Sequence, residues 1–267
     1  MCYRKKEIHN EKFLELSNHL IKNSIKRDTL EPILEFYTTL DKKAEYGRIN
    51  YPPELVSILY DSLAISGYVD NIIIAKDYQA HISALDSIIY HFGHQVTGLR
   101  ILDLGCGTGV VSNYFKMCNL NLFITGVDIS HNMLFIASQL QVNNSNVFNE
   151  LINQDISVFT NTSYGKPYNL IILVDVLQYI GNFEQLIKNI TKNHLSSNGI
   201  ILLTIEFGEN NQLYFIQDEI ERFIFTEKFF LSVIKNCHLS VEYSIETKLR
   251  NNMHSLLIIL KKDETKQ

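Results

Sequence analysis

The segment Ile101-Leu102-Asp103-Leu104-Gly105-Cys106-Gly107-Thr108-Gly109 limits what this chain can become more than any other. An apolar run ends in three glycines at alternate positions, and a helical pattern opens just beyond, near Val110-Val111-Ser112. Glycine permits a sharp turn and lets backbone approach a ligand with no Cβ in the way. A strand that passes through such a loop into a helix begins a strand–helix–strand unit. That unit belongs to a parallel sheet with crossover helices.

The apolar rhythm from Leu99 onward agrees. Runs at 100–104, 122–127, 151–153, 169–174, 199–205, 240–247 and 255–261 read as strands, with helical stretches between the first five. Residues 248–254 are too few for a crossover, so the last two strands should form an antiparallel hairpin. The expected fold is α/β: a doubly wound, seven-stranded, mostly parallel sheet with that hairpin at its end. Before Gly93 the apolar residues recur at three and four, as in Phe13, Leu16 and Leu20, then Leu55, Ile58 and Leu59, then Ile82, Leu85 and Ile89. These predict a helical amino-terminal cap over 1–95, joined to an α/β domain over 96–263. Pro52-Pro53 suits the opening of one of its helices. The stretch 68–77 reads equally as a short strand or a buried helical turn.

Composition excludes several classes. With 267 residues, 46% hydrophobic and 20% charged, the chain can bury a sizeable core and is not disordered. A net charge of −5 argues against a protein that grips nucleic acid. Cys2, Cys106, Cys118 and Cys237 stand far apart with no partner at metal-ligand spacing, so no metal is expected and the thiols should be reduced. No secretory leader is evident, and the apolar runs are too short to cross a bilayer. A cytoplasmic protein that binds no membrane is the expectation.

Nineteen residues beyond Gly109, Asp128 ends the second strand, placed to accept hydrogen bonds from both hydroxyls of a ribose. A dinucleotide fingerprint fails, because Val110 stands where its third small residue belongs. A phosphate-binding Walker loop fails too, for lack of a Lys-Ser/Thr pair after the glycines. Asp103, two residues before the first glycine, is suited to a ligand ammonium group.

Taken together, Asp103, Gly105, Gly107 and Gly109 with Asp128 resemble the class I S-adenosylmethionine-dependent methyltransferases, whose first motif is E/D-x-G-x-G-x-G. The resemblance implies the Rossmann-like methyltransferase fold with S-adenosyl-L-methionine as cofactor. It implies that Asp103 and the loop Gly105-Cys106-Gly107 through Gly109 hold the methionine moiety and Asp128 the ribose. Ile129 and Met133 would flank the adenine, with Asp155 and Ile156 at its amino group. Asp155 could equally cap the following helix, and Cys106 could be a small filler. The segment 195–199 stands where the family turns before its fifth strand, with Asn198 suited to positive φ.

Three further stretches, Tyr51-Pro52-Pro53-Glu54, the run from Asp175 to Gly181, and Arg222-Phe223, are similar to a bacterial group of methyltransferases, some with upstream tetratricopeptide repeats. Phe225 stands where a histidine would be expected in that group, and 68–87 looks like an insertion. Asp175, Tyr179 and Glu206 close the fourth and fifth strands and are the expected catalytic candidates, with Asp175 also expected among the cofactor-binding residues and Tyr179 against either the sulfonium or the cap. Tyr37, Tyr46, Tyr51, Tyr214 and Arg222 would line a lid formed by the cap. The expected activity is in-line methyl transfer to a small-molecule acceptor. The alternatives are a non-catalytic protein binding the cofactor or its demethylated product, and, less favoured, a protein or nucleic-acid methyltransferase. No N/D-P-P-Y/F stretch follows the fourth strand for a flipped base.

Overall fold

The computed structural model describes residues 50–74, 77–93, 97–118, 121–209, 214–217, 222–250 and 253–263. The helices expected before Asn50 lie outside these residues, as do Tyr37 and Tyr46.

Helix α1 (Pro53–Ile65) opens on proline, whose missing N–H is no loss in a first turn. A π-helical turn (Val69–Ile74) follows and decides the ambiguous stretch in favour of a helical turn. Then come α2 (Ala80–Phe92), β1 (Arg100–Leu104), α3 (Val110–Met117), β2 (Phe123–Asp128) and α4 (His131–Ser138). A small hairpin of β3 (Gln141–Val142) and β4 (Ser145–Asn146) turns at Asn143 and Asn144, both with positive φ. Beyond it lie β5 (Glu150–Asn153), α5 (Ile156–Phe159), β6 (Tyr168–Leu173) and α6 (Glu184–Asn193). The chain continues through β7 (Leu195–Ile205), β8 (Tyr214–Gln217), β9 (Arg222–Phe225), α7 (Glu227–Asn236), β10 (Leu239–Arg250) and β11 (Met253–Lys262).

The main sheet has seven strands in the order β10-β11-β7-β6-β1-β2-β5. Neighbours from β7 to β5 are parallel, whereas β11 runs antiparallel to both β7 and β10. This is the doubly wound sheet with a terminal hairpin that the sequence predicts. Its central strands are apolar on both faces because both are covered. On one face Leu102, Leu104, Ile171 and Leu173 pack with Ile187 and Ile190 of α6 and Phe230 and Val233 of α7. On the other, Ile101, Leu170 and Ile172 pack with Ala84 and Ile88 of α2 and Phe115 of α3. Helix α2 thus shares a core with β1, although it lies on the amino-terminal side of the 95/96 division. The last eight residues of the apparent insertion at 68–87 are this helix's first two turns. Tyr51 and Leu55 join the first core, and α1 lies along α4.

One local expectation is corrected and one element is added. β7 begins at Leu195 and passes through the segment read as a turn, with no positive φ at Asn198. The pairing with β6 absorbs the extra residues as a register shift between Tyr168/Leu195 and Leu170/Ile200. Second, the stretch between β7 and α7 carries the antiparallel pair β8–β9.

Successive strands leave β1 in opposite directions, toward β2 and β5 on one side and β6 and β7 on the other. The crevice at the carboxyl ends of β1 and β6 is therefore the topological switch point, where open α/β sheets bind ligands.

Candidate functional site

A cavity of about 270 Å³ opens at that switch point. Its floor is the loop after β1, which is tied to β2 because Gly105 and Cys106 both donate backbone N–H to the Val127 carbonyl, at 2.8 and 3.1 Å. Gly105 has φ +71°, and a Cβ there would sit 2.6 Å from Val176 Cγ2. Gly107 has φ +53° and nothing within 4 Å of a Cβ, so its bare side faces open space in the cavity wall.

Two carboxylates from adjacent strands flank this loop. Asp103, in β1, is 4% exposed and accepts a 2.6 Å hydrogen bond from Ser112 Oγ of α3. Burial, with Asp128 adding repulsion, pushes its carboxyl up to about 7 against the pull of Ser112. Asp128 closes β2. Its Oδ2 accepts the Gly107 N–H and its Oδ1 the Ser130 N–H, each at 2.8 Å. Burial raises its carboxyl from the ordinary range, and these two amides oppose the shift. A carboxylate offers about four lone-pair sites, so capacity for hydroxyl donors remains.

Asp155 lines the cavity while capping α5, its Oδ1 accepting Ser157 N–H at 2.8 Å and Val158 N–H at 3.0 Å. Ile129, Ile156 and Cys106 line it as well. Burial, reinforced by Asp103 and Asp128, holds the Cys106 thiol well above its ordinary range, so it stays protonated and fills space.

Past β6, Asp175 adopts φ +59°, a left-handed conformation that aspartate tolerates better than most residues. Three contacts hold it there: its N–H donates to Thr204 Oγ1 at 2.8 Å, its Oδ1 accepts Gln178 Nε2 at 2.6 Å, and Arg222 Nη1 stands 3.8 Å away. The turn throws the 3₁₀ segment Leu177–Tyr179 over the cavity. The Tyr179 hydroxyl is 2.8 Å from that of Tyr60, and its ring meets Tyr51 and Tyr60 edge-on at 5.7 Å. Burial, then the neighbouring Tyr179, raises Tyr60 well above the usual phenol range.

The structure brings Asp103, Gly105, Cys106, Gly107, Asp128, Ile129, Asp155, Ile156, Asp175 and Tyr179 to one cavity. Gly109, Met133 and Glu206 do not line it. Gly109 serves packing, since a Cβ there would lie 2.7 Å from Phe148. Met133, on the inward face of α4, is wholly buried. Glu206 sits on the far side of the β6 turn, paired with Arg222 Nη2 at 2.9 Å. Arg222 is 2% exposed and likewise outside the cavity, unlike Tyr51, which lines it. Phe225 packs between Phe183 and Phe229 away from the cavity, so a histidine missing at that position does not bear on a base here.

Sequence reasoning missed Val56, Tyr60, Tyr68 and Tyr78, which wall the cavity, and Asp61. Asp61 Oδ1 accepts Ser130 Oγ–H at 2.5 Å and Asn132 N–H at 3.0 Å, fastening α1 to the start of α4. The signal was the i, i+4 spacing of Val56 with Tyr60 and of Ser57 with Asp61, which places each pair on one helix face.

The donors and acceptors fit a ligand with an ammonium group and a ribose. A buried carboxylate flanks the loop, a second has acceptor capacity left, and among the described residues no cation lines the cavity to compete.

Comparison with known proteins agrees with this geometry. Residues 102–201 match the family model described as "Methyltransferase domain", which spans the glycine loop, Asp128 and Asp175. Strand order and loop together define the Rossmann-like methyltransferase fold. The magnesium protoporphyrin IX methyltransferase of Synechocystis PCC 6803, solved with bound SAM, superposes with a TM-score of 0.60 at 16% identity, covering 79% of this chain and 97% of that one. A ubiquinone biosynthesis O-methyltransferase of Rickettsia akari is 28% identical over 120 residues, 45% of each chain. A malonyl-[acyl-carrier protein] O-methyltransferase of Bacillus cereus is 32% identical over 122 residues, 45% of this chain and 42% of that one. The matched regions thus span less than half the length of both curated relatives.

Proposed function

We propose that this protein is an S-adenosylmethionine-dependent methyltransferase acting on a small-molecule acceptor. The observation that carries the reading is the convergence of Asp103 and Asp128, at the tips of β1 and β2, on one glycine loop beside the cavity. When bound, the cofactor supplies an activated methyl group, which passes to the acceptor's lone pair while the C–S bonding electrons stay on sulfur. Asp103 would accept from the cofactor ammonium and Asp128 from the ribose hydroxyls, and Ile129 and Ile156 would cover the adenine. The tyrosines and Val56 exclude water and hold the acceptor in line, which is the main contribution a protein makes to such a displacement. Asp175 would take the proton released by a hydroxyl or ammonium acceptor, a role supported by its position in the cavity wall.

Within the class, the segments similar to the repeat-bearing bacterial group support a place near that group. Tyr51 donates its N–H to the Tyr179 carbonyl at 3.1 Å and meets the Phe223 ring edge-on at 5.8 Å, so all three segments meet around Tyr51. We also assign the protein to the cytoplasm, a reading supported by unpaired thiols at Cys106, Cys118 and Cys237. No helix among the described residues is long and apolar enough to cross a membrane.

Calorimetry with S-adenosylhomocysteine, followed by incubation with methyl-labelled cofactor and a metabolite extract, tests the proposal. Binding with transfer supports it. Binding without transfer favours the non-catalytic alternative, and absence of binding removes both.

A further inference from the structure

The carboxylate that closes β2 is held by a chain of hydrogen bonds that ends on a different element. Asp128 Oδ1 accepts the Ser130 N–H at 2.8 Å, and the hydroxyl of Ser130, a wholly buried residue, donates to Asp61 Oδ1 of α1 at 2.5 Å. The same hydroxyl oxygen accepts the Met133 N–H at 3.1 Å, so it is engaged in both directions. Asp61 also takes the Asn132 N–H on Oδ1 at 3.0 Å and Asn132 Nδ2 on its backbone carbonyl at 3.3 Å. One turn earlier in α1, Ser57 Oγ donates to the Ile129 carbonyl at 3.4 Å. Helix α1 thus grips Ile129, Ser130 and Asn132, the residues that follow Asp128.

Val56 and Tyr60 each stand one position before Ser57 and Asp61, and successive residues of an α-helix point about 100° apart. One face of α1 therefore meets the segment after Asp128 while the adjacent face enters the cavity, where Tyr60 shares a 2.8 Å hydrogen bond with Tyr179. A helix turns as one body, so fixing the 57/61 face also fixes the direction of the 56/60 face.

We propose that Asp61, which does not line the cavity, is a positioning residue: through Ser130 it sets the Asp128 carboxylate, and through α1 it ties the wall at Val56 and Tyr60 to the same point. The inference rests on the cofactor-binding reading and adds to that site a residue outside it. The acceptor oxygen of Asp61 does this work, and its charge opposes it. Burial first, and Asp61 after it, raise the Asp128 carboxyl against the pull of the Ser130 and Gly107 amides. Without an acceptor at position 61, the buried Ser130 hydroxyl and the Asn132 N–H lose their partner, and the segment presenting Asp128 must rearrange.

Calorimetry with S-adenosylhomocysteine tests this on the parent, Asp61→Ala, Asp61→Asn, Ser130→Ala and the Asp61→Ala/Ser130→Ala double variant, with urea unfolding to establish that each is folded. Asp61→Ala should raise Kd about tenfold. Asp61→Asn, whose amide oxygen can accept both hydrogen bonds, should stay within about threefold of the parent. The double variant should bind within about threefold of the weaker single one, because both substitutions break the same chain. Amide hydrogen exchange reads the second half of the proposal. Saturating ligand should slow exchange across Pro53–Ile65 in the parent and in Asp61→Asn, and not in Ser130→Ala or Asp61→Ala.

An unchanged Kd in Asp61→Ala, an Asp61→Asn variant as weak as Asp61→Ala, or losses that multiply in the double variant overturn the inference. Should Asp61→Ala not fold, Asp61→Asn and Ser130→Ala decide it, and ligand protection of α1 that persists in Ser130→Ala overturns it. A parent protein that does not bind S-adenosylhomocysteine defeats the cofactor-binding reading itself and the inference with it.

Discussion

Ser112, in the first turn of α3, donates its hydroxyl proton to the Asp103 carboxylate across 2.6 Å, joining the helix after the glycine loop to the strand before it. The bond aims the carboxylate at the cavity, but it does not offset the cost of burial, which leaves the group titrating at about 7.

A pH dependence follows from that value. A cationic ligand favours the ionised carboxylate, so affinity for S-adenosylhomocysteine should weaken as pH falls below about 7, approaching tenfold per pH unit. Calorimetry in buffers of different ionisation enthalpy should show protons released on binding near neutrality. In the unliganded protein the sign is opposite. Folded-state pKa is raised from 3.8 to about 7, so this group's contribution to stability is full below pH of about 4 and is lost as pH rises through about 7. Asp103→Asn should therefore bind ligand poorly yet unfold at higher denaturant than the parent at pH 8, and show no such gain at pH 4.

The glycines of the loop should separate by phenotype. Gly105→Ala puts a Cβ 2.6 Å from the branched Val176 side chain and should cost about 1–3 kcal/mol of stability. Gly107→Ala meets nothing within 4 Å, so beyond about 1–2 kcal/mol of backbone strain its main effect should be lost ligand affinity. Urea unfolding and calorimetry on the two variants distinguish these outcomes.

The Arg222–Glu206 pair is buried, with side-chain exposures of 2% and 13%. Arg222→Met takes a counter-charge from Glu206 and from Asp175, 3.8 Å away, and should lose about 3–5 kcal/mol in urea unfolding. Arg222→Met combined with Glu206→Leu should recover part of that loss, since no charge is then stranded in the pair.

Tyr60 and Tyr179 share one hydrogen bond at 2.8 Å, so Tyr60→Phe and Tyr179→Phe should not be additive. Each single variant should cost about 1 kcal/mol and the double variant little more than either. Because burial, reinforced by Tyr179, holds the Tyr60 phenol well above its ordinary range, the pH–rate profile should show no titration of this group in that ordinary range.

The seven-stranded sheet was legible because strands buried on both faces are nearly continuous apolar runs, as in Leu170-Ile171-Ile172-Leu173. The floor of the cavity was legible because a tight approach of backbone to ligand needs glycines at fixed spacing. Its tyrosine wall was not. Tyr60 and Tyr68 reach the cavity only after α1 packs on α4, a tertiary event that no local pattern records. Leu59, read as part of the buried face, is 42% exposed because Val56 and Tyr60 take the inward position. The β3–β4 hairpin carried a usable sign, Asn143-Asn144, since two residues at positive φ are what a tight two-residue hairpin loop requires. β8–β9 pairs outside the main sheet, and its partner was not set by the runs that define that sheet.

The placement of β11 bears on how the chain reaches this structure. The last strand of the sheet in sequence is not at its edge but between β7 and β10, bonded along both sides. During synthesis the sheet therefore cannot close in step with the emerging chain. β7 must wait with an open, strongly apolar edge until residues 253–262 have left the ribosome. A product stopped before Met253 would keep that edge permanently, and open apolar edges recruit strands from other molecules. Synthesis through β11 is thus built in as a condition for solubility.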